Sequence, residues 1–502
     1  MSKKIMFQGT GSSVGKSIIV TAVCRILSNK GINVAPFKSQ NMALNSYITE
    51  VGDEIGRAQA VQAEASRIDP TVDMNPILLK PTSDVGSQVI LNGKVLGNFK
   101  AFDYFTLKNK LIPEISKAFK KLETNHDVIV IEGAGSPAEI NLRDRDIVNM
   151  GLAEIVDTDV VLIGDVDKGG VFASLYGTYL LLEPEERERI KGFLINKFRG
   201  DVELLMPGVR MLEEKIGISC LGVIPFIKDL NIDDEDSVTD RYRSVEKSDV
   251  NIGVIRLPYL SNLSDFTCFD NEKTVSIRYV DKSSEIEKCD MIVIPGSKNT
   301  LHDMKFIHDS HMDQAIYHAH RNQIPIIGIC GGYQMLGEII TDPNEMESAL
   351  MSINGLGLLP VETIMAEDKI TKNSEGVWQS NFLGIHLKNP ILKGYEIHMG
   401  RTKCRSEALP ISMLNGEGNT DGHVDHEGLI MGTYFHGIFD NDEFRNALIN
   451  TLRKRKGLDA ITQDEIFEVQ KDKAYDNLAE HVEKHMDWAA IDKILSESRP
   501  TP

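Results

Sequence analysis

Two clusters of residues are of the kind that does chemistry. In Gly328-Ile329-Cys330-Gly331-Gly332-Tyr333-Gln334 a cysteine stands where an apolar run gives way to a helical pattern. A sharp strand-to-helix turn of that kind exposes a nucleophile, and the flanking glycines permit it. The helix N-terminus favours the thiolate, the form that attacks. The backbone N–H of Gly331 is placed to stabilise an oxyanion. His436, in Gly432-Thr433-Tyr434-Phe435-His436-Gly437, supplies the base, remote in sequence and adjacent in space as such pairs require. The second cluster is Gly9-Thr10-Gly11-Ser12-Ser13-Val14-Gly15-Lys16-Ser17, between a predicted strand and a predicted helix. There the backbone around Gly11 and Gly15 turns N–H groups toward phosphate oxygens. Lys16 reaches the β- and γ-phosphates, and Ser17 holds Mg²⁺. ATP and Mg²⁺ are the cofactors expected.

Other segments end strands that would converge on the same phosphate site. Lys38 follows an apolar run in Phe37-Lys38-Ser39-Gln40-Asn41, at the strand end where doubly wound folds bind ligands. Gln40 and Asn41 beside it are candidate substrate contacts. Glu132 ends Val128-Ile129-Val130-Ile131, and a carboxylate there suits Mg²⁺, which takes hard oxygen ligands. Asn196 ends another run and is a candidate for reading the nucleotide base. Asp165 and Asp167 end a further one, as holders of a second metal or as substrate contacts.

The elements that must position these groups are legible as patterns. Ile5–Phe7, Asn33–Phe37, Val128–Ile131, Val160–Ile163 and Phe193–Ile195 read as buried strands, with helices at Lys16–Lys30 and Glu54–Arg67. Near-continuous apolarity in strands that alternate with helices implies a parallel sheet covered on both faces. The acidic, serine-rich stretch 229–249 reads as a linker. A second α/β pattern begins at Ile252–Ile255, continues through Met291–Ile294 and Ile326–Ile329, and closes near Thr433–His436. The expected organisation is a P-loop domain at 1–228, a linker at 229–249, a second α/β domain at 250–445, and a helical tail at 446–502. With 502 residues the chain exceeds what one core usually supports. A net charge of −19 disfavours nucleic acid and anionic membrane as partners. The six cysteines show no zinc-type spacing, and no run approaches the ~18 apolar residues of a membrane span. A cytoplasmic location follows as the expectation, while oligomeric state is not legible.

The phosphate loop, with Thr10 where a glycine is usual, resembles that of dethiobiotin synthetase and its relatives, which phosphorylate a carboxylate or carbamate. Ile294-Pro295-Gly296-Ser297-Lys298 resembles the loop that gives class I glutamine amidotransferases their other oxyanion N–H, here that of Gly296. That class often continues its histidine as His-Pro-Glu, whereas this chain reads His436-Gly437-Ile438. Either Cys330 and His436 act as a dyad, or another acid such as Asp440 or Glu443 completes them.

Longer stretches carry a more specific likeness. Phe37 to Ser46, Glu132 to Leu142, Asp167 to Ala173 and Gly394 to Thr402 are similar to the signatures of the cobyric acid synthase family, in the same domain order. The resemblance implies amidation of the b, d, e and g side-chain carboxylates of adenosylcobyrinic acid a,c-diamide, a corrinoid, with L-glutamine as nitrogen source and ATP as driving force. It implies Cys330 and His436 as the glutaminase pair, with no third member. Cobyrinic acid a,c-diamide synthase, another P-loop amidoligase such as a lipid-II-type amidotransferase, and a partition-type ATPase switch are the rival readings. The segment from Lys38 to Ser46 argues against the first, and a switch has no use for Cys330 and His436.

Overall fold

The computed structural model describes the chain apart from residues 1, 84–85, 229, 231, 233–247, 406–409, 415–419, 463–465 and 498–502. It divides into two compact units. The first comprises Met1–Ala43, Asp53–Asp233 and Gln470–Pro502; the second comprises Leu44–Gly52 and Asp234–Val469.

In the first unit a parallel sheet runs in the order Ser219–Pro225, Ile190–Phe198, Val160–Asp165, Lys3–Gly9, Val128–Glu132, Val34–Phe37. Neighbouring residues of one strand enter different cores. Met6, Ile129, Ile131 and Leu162 pack on one face, and Ile5, Phe7, Val130 and Val161 on the other. That two-sided burial is why these strands read as unbroken apolar runs. The chain goes outward from Lys3–Gly9 to Val34–Phe37, returns through Val128–Glu132, then crosses to Val160–Asp165 on the other side. At such a reversal the C-terminal strand ends open a crevice. Gly9, Lys38, Glu132, Asp165 and Asn196 all lie at or just beyond those ends. The helix expected from Glu54 begins instead at Arg57, because Glu54–Gly56 is extended.

The second unit has its own sheet, in the order Val275–Val280, Val250–Ile255, Met291–Ile294, Ile326–Ile329, Ile430–Thr433, His423–Val424, parallel but for the last strand. A mostly antiparallel sheet built on the long pair Val361–Trp378 and Ile391–Cys404, with Ile339–Thr341 joining it in parallel, belongs to the same unit.

Residues 446–502 do not form one tail. Helix Asp442–Arg455 sends Phe444, Leu448, Ile449 and Leu452 into the core of the second unit. Farther on, Tyr475, Leu478, Ala479 and Val482 make an apolar stripe at helical spacing that enters the core of the first. There the fully buried Arg25, on the helix after the phosphate loop, pairs with Asp472 at 2.7 Å and Asp476 at 2.8 Å. Of the expected linker, residues 229, 231 and 233–247 lie outside the described residues. Among the described residues no helix is long and apolar enough to cross a membrane.

Candidate functional site

The phosphate loop leads from strand Lys3–Gly9 into helix Lys16–Asn29. Gly15 is its pivot, at φ 94°, a left-handed conformation that side chains resist. Lys16 Nζ donates to the carbonyls of Gly11 (2.9 Å) and Gly135 (3.1 Å), joining the loop to the turn after Glu132. Glu132 collects three donors. Ser17 Oγ and Lys38 Nζ each stand 2.9 Å from Oε1, and Gln62 Nε2 stands 2.5 Å from Oε2. Ser17, Lys38 and Glu132 are therefore brought together as expected, and Gln62, from helix Arg57–Ala65, joins them unannounced. Among the described residues Gln62 Oε1 and Asn149 Oδ1 are buried without a hydrogen-bond partner. A hydroxyl, a carboxylate and spare buried oxygens are a hard-ligand set that fits Mg²⁺, which keeps its remaining positions for water and phosphate. No group of three or more His, Cys, Asp or Glu side chains suited to a metal occurs among the described residues.

Other expected residues are placed differently. Asn196 has both polar atoms engaged by backbone, Nδ2 donating to Val14 O at 2.9 Å and Oδ1 accepting from Lys197 N at 2.9 Å. It braces the phosphate loop through Val14. Asp165 pairs with Lys197 (3.0 Å) and Asp167 with Arg199 (2.8 Å). Their charges are answered separately, by two different cations. Asn41 Nδ2 donates to Gln59 Oε1 at 3.0 Å, and Gln40 lies beside it in strand Gln40–Met42.

In the second unit, strand Ile326–Ile329 runs into Cys330 and helix Gly331–Leu336 follows. Cys330 is held at φ 53°, ψ −108°, a strained conformation for a residue with a side chain. Close packing demands glycine at 332, where a Cβ would overlap the carbonyl of Ile294. The same packing brings the two expected oxyanion glycines together. Gly331 sits against the backbone N of Ser297, and Gly296 against the ring of His436. The Cys330 thiol donates to Ile397 O at 3.6 Å.

His436 is buried, and on one side Cys330 lies close enough to help raise its pKa. On the other, its Nδ1 stands 2.8 Å from Oδ2 of Asp265, whose Oδ1 accepts from Gly437 N at 2.8 Å. This corrects the expectation of a dyad or of Asp440 or Glu443. Glu443 accepts instead from Asn389 N at 3.0 Å, and Asp440 closes the turn after Gly437 through its own N–H. Asp265 lies on the short 3-10 helix Leu263–Phe269, 171 positions before the histidine. Burial alone would lower the His436 pKa. The charge and hydrogen bond of Asp265 outweigh it and, with Cys330, push it up to about 9. An imidazolium held there has a proton ready for a leaving group.

Replacing Asp265 by asparagine should therefore cut glutamine hydrolysis by roughly 10²–10⁴-fold, the scale of an oriented acid–base group. The stability contribution of the pair has a definite sign. A histidine raised above its ordinary 6.5 stabilises fully below that pH and loses the contribution as pH rises through about 9. Melting temperature followed over that window should show the loss in the parent and not in Asp265→Asn; equal hydrolysis rates would remove Asp265 from the site.

The signature Gly394–Thr402 acquires a physical reason. It lies on strand Ile391–Cys404, and it presents Tyr395 to the histidine. Backbone bonds of 3.1 and 2.9 Å tie Tyr395 to His436, and their rings stack at 5.2 Å. Next along, His398 stacks on Tyr434 at 3.7 Å, and its Nε2 lies 3.3 Å from Glu396.

A strained cysteine elbow with its histidine and acid, in a chain that also carries a phosphate loop, defines the class: a nucleotide-binding glutamine amidotransferase. Residues 5–238 match the model of the CobQ/CobB/MinD/ParA nucleotide binding domain, and residues 251–444 that of the CobB/CobQ-like glutamine amidotransferase domain. Relatives named cobyric acid synthase match over nearly the full chain. That of Thermoanaerobacter sp. (strain X514) is 49% identical over 99% of both chains. Those of Clostridium botulinum (strain Loch Maree / Type A3) and Alkaliphilus metalliredigens (strain QYMF) are each 49% identical over 98% of this chain and 99% of theirs. The chain belongs to the cobyric acid synthase family. It is a glutamine-hydrolysing carbon–nitrogen ligase of cobalamin biosynthesis.

Proposed function

We propose that the enzyme amidates the b, d, e and g carboxylates of adenosylcobyrinic acid a,c-diamide, with glutamine as nitrogen donor and ATP as co-substrate. The observation that carries the nitrogen chemistry is the His436 imidazole held between Cys330 and Asp265. Cys330 Sγ attacks the side-chain carbonyl carbon of glutamine, and the N–H groups of Gly331 and Gly296 receive the oxyanion. The amide nitrogen leaves as ammonia with a proton from His436, and water then releases glutamate from the thioester.

A carboxylate oxygen is a poor leaving group, and ATP supplies the phosphoryl group that makes it a good one. Lys16 and Lys38 counter the charge gathered in that transfer, which is chiefly a matter of position and electrostatics. Ser17 and Glu132 would hold Mg²⁺, which supplies further charge neutralisation at the phosphates. Full-length alignment to the relatives, together with the segment Lys38 to Ser46, supports the choice of corrinoid.

The test is mass spectrometry of the a,c-diamide incubated with ATP, Mg²⁺ and glutamine. Four successive amide additions are expected, and ¹⁸O placed in the carboxylates should emerge in inorganic phosphate. Amidation of cobyrinic acid only at a and c would favour the diamide synthase. Unlabelled phosphate after amidation would exclude phosphoryl activation.

A further inference from the structure

The nine residues Leu44–Gly52 belong to the second unit, although the chain on either side of them belongs to the first. Within the second unit they are held at two points, by Asn373 Nδ2 donating to Thr49 O at 2.9 Å and by a bond beside the triad acid. Asn45, buried, accepts from Leu263 N at 3.0 Å, and Leu263 is the first residue of the short helix that carries Asp265. A helix start leaves backbone N–H groups to be answered, usually by the side chain of the residue just before it. That residue here is Asn262, an apt cap by type, yet it makes no side-chain cap bond. Among the described residues both polar atoms of its buried amide lack partners. Asn45 thus answers the first N–H of the helix from outside it, while the backbone carbonyl of Asn262 answers that of Asp265. Leu44 and Asn45 also line a cavity of about 360 Å³ with Arg256, Leu257 and Leu263, which leaves room for the segment to shift.

Upstream, the same segment is anchored in the nucleotide-binding unit only four residues away. Strand Gln40–Met42 pairs with Ile77–Leu79, and Asn41 bonds Gln59 on the helix whose Gln62 holds Glu132. We propose that Asn45 is a positioning residue for the Cys330–His436–Asp265 triad, and that through it the loaded phosphate site switches glutamine hydrolysis on. Glu132 is hydrogen-bonded to Gln62, Gln62 shares a helix with Gln59, Gln59 is hydrogen-bonded to Asn41, and the chain runs on over four residues to Asn45, which holds the start of the helix that carries Asp265. Charge rearranged at Glu132 on binding nucleotide and carboxylate changes the tension on that bond, and hydrolysis is thereby held back until there is a carboxylate to amidate.

The proposal rests on the function given above, and its test separates the two. In the full chain, glutamine hydrolysis is measured alone and with MgATP plus the corrinoid diamide, beside ammonium-driven amidation and a thermal melt. Parent hydrolysis should rise about tenfold or more on loading, within the usual span of coupling between sites. In Asn45→Ala the rise should shrink to about twofold or less, with ammonium-driven amidation within about threefold of the parent. Asn45→Asp, which keeps the acceptor oxygen, should restore it. Equal stimulation in Asn45→Ala and the parent, or no stimulation in the parent, overturns the coupling. If ammonium-driven amidation fails in the parent, the corrinoid reading falls, and Asn45 is judged on unloaded hydrolysis alone. There Asn45→Ala must move the His436 limb of the pH profile downward, and an unmoved limb overturns the positioning role.

Discussion

Replacing Lys16 by alanine is expected to stop amidation whether the nitrogen comes from glutamine or from ammonium. On the proposed mechanism activation of the carboxylate precedes entry of nitrogen, so no donor can bypass it. The loss should be at least about 2–4 kcal/mol of transition-state stabilisation, the scale of one preorganised electrostatic group. That is a rate lower by a factor of roughly 30 to 1,000. The side chain also joins the loop to the carbonyl of Gly135, so a thermal melt must show that the variant is folded. Glutamine hydrolysis should persist at its unloaded rate, because Cys330, His436 and Asp265 belong to the other unit. Near-normal amidation by Lys16→Ala would mean that this loop is not the phosphate site.

The two sites differed in how far the sequence disclosed them, and the reason is physical. Strands buried on both faces are apolar at every position, so Val128–Ile131 and Val160–Ile163 announce themselves. The chemistry of a parallel sheet then sits where each run ends, which led directly to Lys38 and Glu132. Cys330 was legible because a strained elbow needs glycine around it. Asp265 was not, because its partner is 171 residues away and an acid on a short turn has no periodicity. Its one local sign is that Leu263–Phe269 follows the first strand of the second sheet, at the strand end where functional groups collect. The nearby acid Glu443 is taken up by the backbone at Asn389, so nearness in sequence to the histidine does not mark the partner. Asn196, Asp165 and Asp167 were correctly placed at strand ends, but sequence does not tell an open polar group from one answered by Val14 O, Lys197 or Arg199.

Cys330→Ala should separate the two chemistries. It removes the sulfur that forms the glutamyl thioester, so glutamine releases no ammonia. The side chain lost is small and buried; what goes with it is the thiol's bond to Ile397 O and its contact with His436. The phosphate loop is untouched, being part of the other unit. Glutamine-dependent amidation should fall to background, while ATP-dependent amidation continues with ammonium at raised pH, where more of it is neutral NH₃. His436→Ala should follow the same pattern, with the thiol still reactive to alkylation because its helix-terminal setting remains. If folded Cys330→Ala, competent to bind ATP, is dead with both donors, Cys330 serves carboxylate activation or the coupling between units, and the division of labour drawn here is wrong.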